Sequence, residues 1–106
     1  MIKKTIPSQA PAVPLSIDGR IMHRSENLEA ILLTLQPGDS IPLHQNPFDV
    51  LFAGIEGTAS LSTPRGQESI APGETIFVSA EETRGWENHG QQACRVLVIK
   101  ILTPGT

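Results

Sequence analysis

Short runs of apolar residues along this chain are separated by turn-forming residues. The chain contains nine glycines and nine prolines. The clearest turn signals are Asp18-Gly19, Pro37-Gly38-Asp39, Pro64-Arg65-Gly66 and Pro72-Gly73-Glu74. No segment sustains the 3.6-residue apolar period of a helix, and spaced turns between β-rich runs are typical of a sandwich or barrel. We therefore predict an all-β protein with strands over residues 20–25, 28–36, 41–45, 48–56, 58–63, 67–71, 75–78, 83–87 and 93–102.

The run SENLEAILLTL is the one segment whose pattern also fits a helix. Ser25 could cap a helix, and four further residues have helical spacing: Leu28, Ile31, Leu32 and Leu35. We predict a strand here because Pro37-Gly38 ends the run directly.

The first 19 residues differ from the rest of the chain. Pro7, Pro11 and Pro14 interrupt them and disfavour both a helix and a central strand. We predict an extended arm over residues 1–19, either disordered or lying across a neighbouring subunit. Residues 20–106 should form a single domain.

Composition limits the partners and the location of the protein. The net charge is −3 with no basic block, which argues against nucleic acid or an anionic membrane as a partner. No apolar run approaches the ~20 residues that span a bilayer. The first residues contain no continuous apolar stretch of the signal-peptide type, so we expect a cytoplasmic protein. Because a 106-residue domain has a small core and its last strand is apolar on both faces, we expect a homodimer.

Two sets of residues have the spacing of known sequence motifs. The first set is Gly38, His44, Asn46, Val50 and Gly57, and the second is Gly73, Ser79, Glu81, Arg84 and Asn88. These intervals are similar to the cupin motifs G-x5-H-x-H-x3-E-x6-G and G-x5-P-x-G-x2-H-x3-N. Between about Leu28 and Ile101 the chain resembles a small single-domain cupin. The resemblance implies a double-stranded β-helix, that is, a jelly-roll barrel of two antiparallel sheets, and it also implies a strand over 28–36.

The chain departs from the cupin motifs at the metal ligands. Where the family has His, His, Glu and His, this chain has His44, Asn46, Val50 and Arg84. The family places these positions on the inward face of the barrel, and side chains on a strand alternate between faces. The predicted binding residues are therefore His44, Asn46, Phe48, Val50, Phe52, Arg84 and Trp86.

A transition-metal site needs about three ligands from His, Asp, Glu or Cys, and here His44 alone qualifies. The charge of Arg84 opposes a divalent cation. We expect no metal cofactor. In the alternative, a divalent transition metal would be bound by His44 with Asn46 or with Asp49, which would have to turn inward through a β-bulge.

Arg84 offers a planar fork that suits a carboxylate or phosphate. We therefore expect this cupin barrel to bind a small, possibly anionic molecule without a typical metal site. Arg84 could instead pair with Glu81, Glu82 or Asp49. His44 could act as a base on a carbonyl acid, although no second catalytic residue is evident. Two other functions stay open: a metal-dependent dioxygenase or isomerase with an atypical ligand set, and a structural module with a vestigial pocket.

Overall fold

Nine strands dominate the computed structural model, which describes residues 1–102. They are β1 (Asp18–Arg24), β2 (Leu28–Leu35), β3 (Ser40–His44), β4 (Asp49–Glu56), β5 (Ala59–Thr63), β6 (Gly66–Ile70), β7 (Thr75–Val78), β8 (Arg84–Glu87) and β9 (Cys94–Ile101). Each strand begins and ends within two residues of its predicted bounds. The predicted domain reached residue 106, and its last four residues lie outside the described part.

The strands form two antiparallel sheets. The large sheet has the order β1-β2-β9-β4-β7, and the small sheet has the order β3-β8-β5-β6. Their inner faces enclose one apolar core that includes Leu35, Val50, Ile70, Trp86 and Val96. This arrangement confirms the predicted all-β fold, a double-stranded β-helix. No helix within residues 1–102 has the length and apolar character required to cross a bilayer.

The ambiguous run near residue 30 is a central strand. β2 pairs with β9 along its whole length, from Leu28 opposite Ile101 to Leu35 opposite Cys94, and its other edge pairs with β1. A strand with neighbours on both edges and apolar residues on both faces explains the nearly continuous hydrophobic run. The strand prediction is confirmed.

Two similar turns carry the chain from one sheet to the other, between β2 and β3 and between β6 and β7. Asp39 N donates to Gln36 O at 2.9 Å, and Glu74 N donates to Ala71 O at 3.0 Å. In each turn Pro is followed by Gly with φ 86°, which is the pattern of a type II turn. The predicted turn signals at Gly38 and Gly73 therefore correspond to real turns.

Part of the N-terminal arm lies along β1 of the same chain. Val13 N donates to Gly19 O at 2.9 Å, and Ile21 N donates to Pro11 O at 2.8 Å. Residues 7–9 form a short 3-10 turn, and Met1 and Ile2 are fully exposed. β1 begins at Asp18, so the predicted arm overlaps the first two residues of this strand.

Candidate functional site

A cavity of about 180 Å³ lies between the two sheets. Five of the seven predicted binding residues line it: His44, Asn46, Phe52, Arg84 and Trp86. Six further residues complete the wall: Leu15, Ile31, Leu33, Ile41, Val98 and Lys100. Most of the wall is aliphatic or aromatic, and the polar groups come mainly from β3, β8 and the loop that follows β3.

The central pair of the site is His44 and Arg84, which are partners across the β3–β8 ladder. Gly85 allows these two strands to lie close together, because a Cβ atom there would sit 2.3 Å from Ile41 O. A larger residue at position 85 would push β3 away from β8 and separate the imidazole from the guanidinium.

Arg84 is a buried cation, because only 2% of the residue is exposed. Its guanidinium has few hydrogen-bond partners. Its Nη1 donates to Glu82 O at 3.4 Å. With the Asn46 amide oriented to satisfy its neighbours, Asn46 Oδ1 accepts from Arg84 Nη2 at 2.7 Å. Within residues 1–102 no carboxylate oxygen lies within 4.0 Å of the guanidinium, so the alternative ion pair with Glu81, Glu82 or Asp49 does not form there.

The burial of Arg84 has an electrostatic consequence. Removal from water lowers the pKa of its guanidinium, yet arginine stays protonated in proteins. A buried charge without a counter-charge carries a desolvation cost that hydrogen bonds offset only in part. Within residues 1–102, Arg84 therefore places a positive charge without a carboxylate partner at the cavity wall.

His44 is held by its own strand. Its Nδ1 lies 2.9 Å from Pro42 O. Because a carbonyl only accepts hydrogen bonds, Nδ1 carries the proton and Nε2 has the lone pair in the neutral ring. Pro42 lies on an edge strand of the small sheet, where proline is tolerated, and the β3–β8 register shifts between Ile41 and His44.

Trp86 contributes a second unmet donor. Its Nε1 is buried and has no hydrogen-bond partner. Its ring meets Phe52 edge to face, with centroids 5.0 Å apart and an interplanar angle of 75°. An unsatisfied buried N–H costs about 1–3 kcal/mol, and this N–H has almost no surface accessible from the cavity.

The two remaining predicted residues, Phe48 and Val50, do not line the cavity. Phe48 is half-buried, and the Lys100 ammonium lies 5.5 Å from the centre of its ring. Val50 is completely buried in the core. The prediction assumed that side chains alternate without a break from position 44 to position 52, but β3 ends at His44 and β4 begins at Asp49. The intervening loop interrupts this alternation at Phe48. Val50 keeps the inward face that it shares with Phe52, but core packing covers it completely.

Lys100 is a lining residue that the sequence argument missed. Its Nζ lies 3.3 Å from Glu29 Oε1, and Arg24 also binds this carboxylate. Burial raises the pKa of Glu29, but the hydrogen bonds from Arg24 and Lys100 outweigh this effect and the net shift is downward. The alternation of β9 could have revealed Lys100, because it shares a face with Val96 and Val98. Leu15 had no comparable signal, since it lies in the arm.

The residues at the cavity do not suit a transition metal. His44 supplies one imidazole, Asn46 supplies a weak amide oxygen, and Arg84 places a positive charge beside them. Asp49 Oδ1 accepts from Ala80 N at 2.8 Å, and the β4–β9 register runs without a shift from Asp49 to Gly54, so no bulge turns Asp49 inward. Across residues 1–102, no three His, Cys, Asp or Glu side chains form a group that could hold a metal ion.

Solved structures with the same fold are numerous. A polyketide cyclase, RemF from Streptomyces resistomycificus, is 22% identical and superposes with a TM-score of 0.85 over 97% of this chain and 81% of that one. The protein TT1209 from Thermus thermophilus is 23% identical, with a TM-score of 0.80 over 98% and 100%. A cupin-superfamily sugar phosphate isomerase from Silicibacter pomeroyi is 16% identical, with a TM-score of 0.79 over 96% and 77%. At these identities the similarity shows the fold alone.

A search of curated proteins finds no match. The family profile described as a cupin domain matches residues 31–100. This range runs from the middle of β2 almost to the end of β9 and contains both motifs completely. The chain belongs to the cupin family.

Proposed function

We propose that this cupin barrel binds a small oxyanion, most simply a carboxylate with a short apolar body, in the cavity beside Arg84 and without a metal. The observation that carries the proposal is the buried guanidinium of Arg84, which faces a cavity and has no carboxylate partner within residues 1–102.

Hydrogen-bond capacity supports this choice of ligand. A guanidinium has five N–H donors in a planar fork, and two of them contact Glu82 O and Asn46 Oδ1. The others are available to a carboxylate. The second cation of the cavity, Lys100, already has a counter-charge in Glu29, so Arg84 carries the uncompensated charge.

Size and polarity narrow the ligand further. Pockets for drug-sized molecules hold about 300–1,000 Å³, whereas this cavity holds about 180 Å³. Its apolar wall includes Ile31, Leu33, Val98 and the ring of Trp86. A small acid with a few carbon atoms and a compact apolar body fits this combination.

The alternative function is a metal-dependent cupin dioxygenase or isomerase with an atypical ligand set. It would require ligands that neither Val50, buried in the core, nor Arg84 can supply. The donor set at the cavity therefore favours the metal-independent function.

Calorimetric titration of wild-type protein with butanoate, benzoate and inorganic phosphate, and with the neutral analogue benzamide, tests the proposal. A charge-assisted bond contributes about 1.5–3 kcal/mol, so Arg84→Ala should weaken carboxylate binding by about ten- to a hundredfold. Arg84→Lys should recover part of the affinity, because an ammonium lacks the fork.

The exposed Arg65 provides a matched control, since it lies in the β5–β6 turn away from the cavity. Arg65→Ala should bind like wild type. Equal carboxylate affinity in wild type and Arg84→Ala, or equal affinity of wild type for benzoate and benzamide, would contradict the proposal.

A further inference from the structure

We propose that His44 is a general base for a ligand held by Arg84, so that this cavity catalyses metal-independent proton transfer at the carbon next to the carbonyl of a short 2-oxo acid. The inference rests on the proposed binding of a small carboxylate and adds an activity to it.

The hydrogen bonding of His44 prepares one ring nitrogen for this role. Nδ1 donates to Pro42 O at 2.9 Å, which fixes the tautomer and leaves the lone pair on Nε2. No polar partner of Nε2 is present among residues 1–102. A general base needs an unprotonated, unoccupied atom within reach of the proton that it removes.

The position of His44 relative to Arg84 provides the reach. The two residues are partners on adjacent strands and line one cavity. Side chains that face each other across a ladder have Cβ atoms about 4.5–5.5 Å apart. In the proposed complex, a carboxylate on the Arg84 guanidinium has its next two carbon atoms toward the imidazole of His44.

The same cavity contains donors for the charge that develops during the reaction. When a proton leaves the carbon next to a carbonyl, negative charge moves to the carbonyl oxygen. The guanidinium of Arg84 has N–H groups beyond the two that contact Glu82 O and Asn46 Oδ1. Donors that are already oriented toward such an oxyanion stabilise it. One guanidinium fork can contact both a carboxylate and a carbonyl oxygen when the carbonyl directly adjoins the carboxylate, as it does in a 2-oxo acid.

The proposed step is balanced without a metal or a redox partner. His44 Nε2 takes a proton from C3, and the C3–H electron pair becomes the C2=C3 double bond of an enolate. The π electrons of the C2 carbonyl move to its oxygen. The imidazolium then returns a proton to C3, with or without exchange against water. The net result is proton exchange at C3, or epimerisation there when C3 carries two different substituents besides hydrogen.

Proton NMR in D2O with 2-oxobutanoate as the probe tests the inference. The C3 proton signal should decay at least tenfold faster with wild-type protein than with His44→Gln, because a positioned base contributes about 10²–10⁴-fold. Glutamine retains a donor for Pro42 O, and circular dichroism of the variant should match wild type. His23→Gln is the matched control: His23 is an exposed histidine on β1 outside the cavity, and its loss should leave the exchange rate unchanged.

Binding is measured in the same samples from the line width of the probe. If 2-oxobutanoate binds to the wild type but its C3 protons exchange no faster than with His44→Gln, the inference is overturned and the proposed binding function stays intact. Binding of butanoate without binding of 2-oxobutanoate would also overturn it. Failure of every carboxylate to bind would overturn the binding function as well.

Discussion

His44 and Arg84 are cross-strand partners on β3 and β8, and both line the same cavity. These positions correspond to two metal-ligand positions of the cupin motifs. One of them holds a cation in place of a metal ligand, and the proposed anion binding rests on this exchange. The retained imidazole stands beside that charge with its Nδ1 tied to Pro42 O.

The first prediction concerns the stability of the ligand-free protein. Arg84→Met keeps the aliphatic stem and removes a buried charge that has no carboxylate partner among the described residues. We expect the free energy of unfolding in denaturant to stay equal or to rise by up to about 1 kcal/mol, while carboxylate binding is lost. Arg65→Met, at an exposed position, should change the free energy by less than about 0.5 kcal/mol. A loss of more than about 1 kcal/mol in Arg84→Met would show that the guanidinium stabilises the fold.

The second prediction concerns metal binding. We expect no stoichiometric nickel, iron, manganese or zinc in the purified wild-type protein by elemental analysis. Asn46→His together with Arg84→His would place three imidazoles around the cavity, because both positions and His44 line it, and three protein ligands make a catalytic-type site. Zinc or nickel should then bind with one equivalent. Adding His44→Ala should abolish that binding. One equivalent of metal in wild type, lost in His44→Ala, would contradict the prediction.

The third prediction is a homodimer formed through the outer face of the large sheet. One apolar row crosses four strands of this face, with paired positions Ala30, Ile99, Leu51 and Phe77. Phe77 is 57% exposed. A symmetric dimer could cover such a face with a second copy of itself.

Sedimentation at micromolar concentration measures this association. Wild type should sediment with twice the mass of one chain, and the double variant Ile99→Glu, Phe77→Glu should sediment as a monomer. Ser69→Glu, on β6 of the small sheet, should remain dimeric. A monomeric wild type would refute the prediction, and a dimeric double variant would place the interface elsewhere.

The fourth prediction concerns the pH dependence of stability through Glu29. Its pKa in the folded protein lies below the ordinary value of 4.5, because the hydrogen bonds from Arg24 and Lys100 outweigh the effect of burial. The unfolded state therefore binds more protons as the pH falls below about 4.5. The stabilisation that the Glu29 carboxylate provides is complete above that pH and disappears as the pH falls through the pKa of Glu29 in the folded protein. The difference in unfolding free energy between wild type and Glu29→Gln should shrink in this window. A difference that stays constant from pH 7 to pH 3 would contradict the assignment.

The fifth prediction concerns Glu81, which occupies a glycine position of the second cupin motif. Its φ of 70° makes it the one described non-glycine residue in the left-handed region, a conformation that costs a non-glycine residue about 1–2 kcal/mol. Glu81→Gly should raise the free energy of unfolding by up to about 1 kcal/mol. Glu82→Gly, in the same loop but without a positive φ, should lower it because glycine gains more freedom in the unfolded chain. Equal losses in both variants would refute the strain at Glu81.

Local sequence patterns were sufficient to predict the strands. Alternation, Pro-Gly turns and the spacing of Gly38, His44, Gly73 and Asn88 identified nine strands and the family, because these signals depend on neighbours within a few residues. Asn88 illustrates this well: its Nδ2 donates to Leu35 O and Gln92 O, each at 2.9 Å, and thus ties the end of β8 to β2 and to the loop before β9.

The composition of the cavity depended on contacts between residues that are distant in sequence. Leu15 reaches the cavity because the arm folds along β1, and Lys100 reaches it because β9 lies at the centre of the large sheet. Phe48 is absent from its wall because it lies in the loop after His44, and Val50 is absent because core packing covers it completely. The sequence alone determined that Arg84 stands where a metal ligand would be. Only the tertiary structure decided that its guanidinium is buried beside His44, with no carboxylate in reach among the described residues. Burial and charge pairing depend on how the two sheets pack together, which no local pattern specifies.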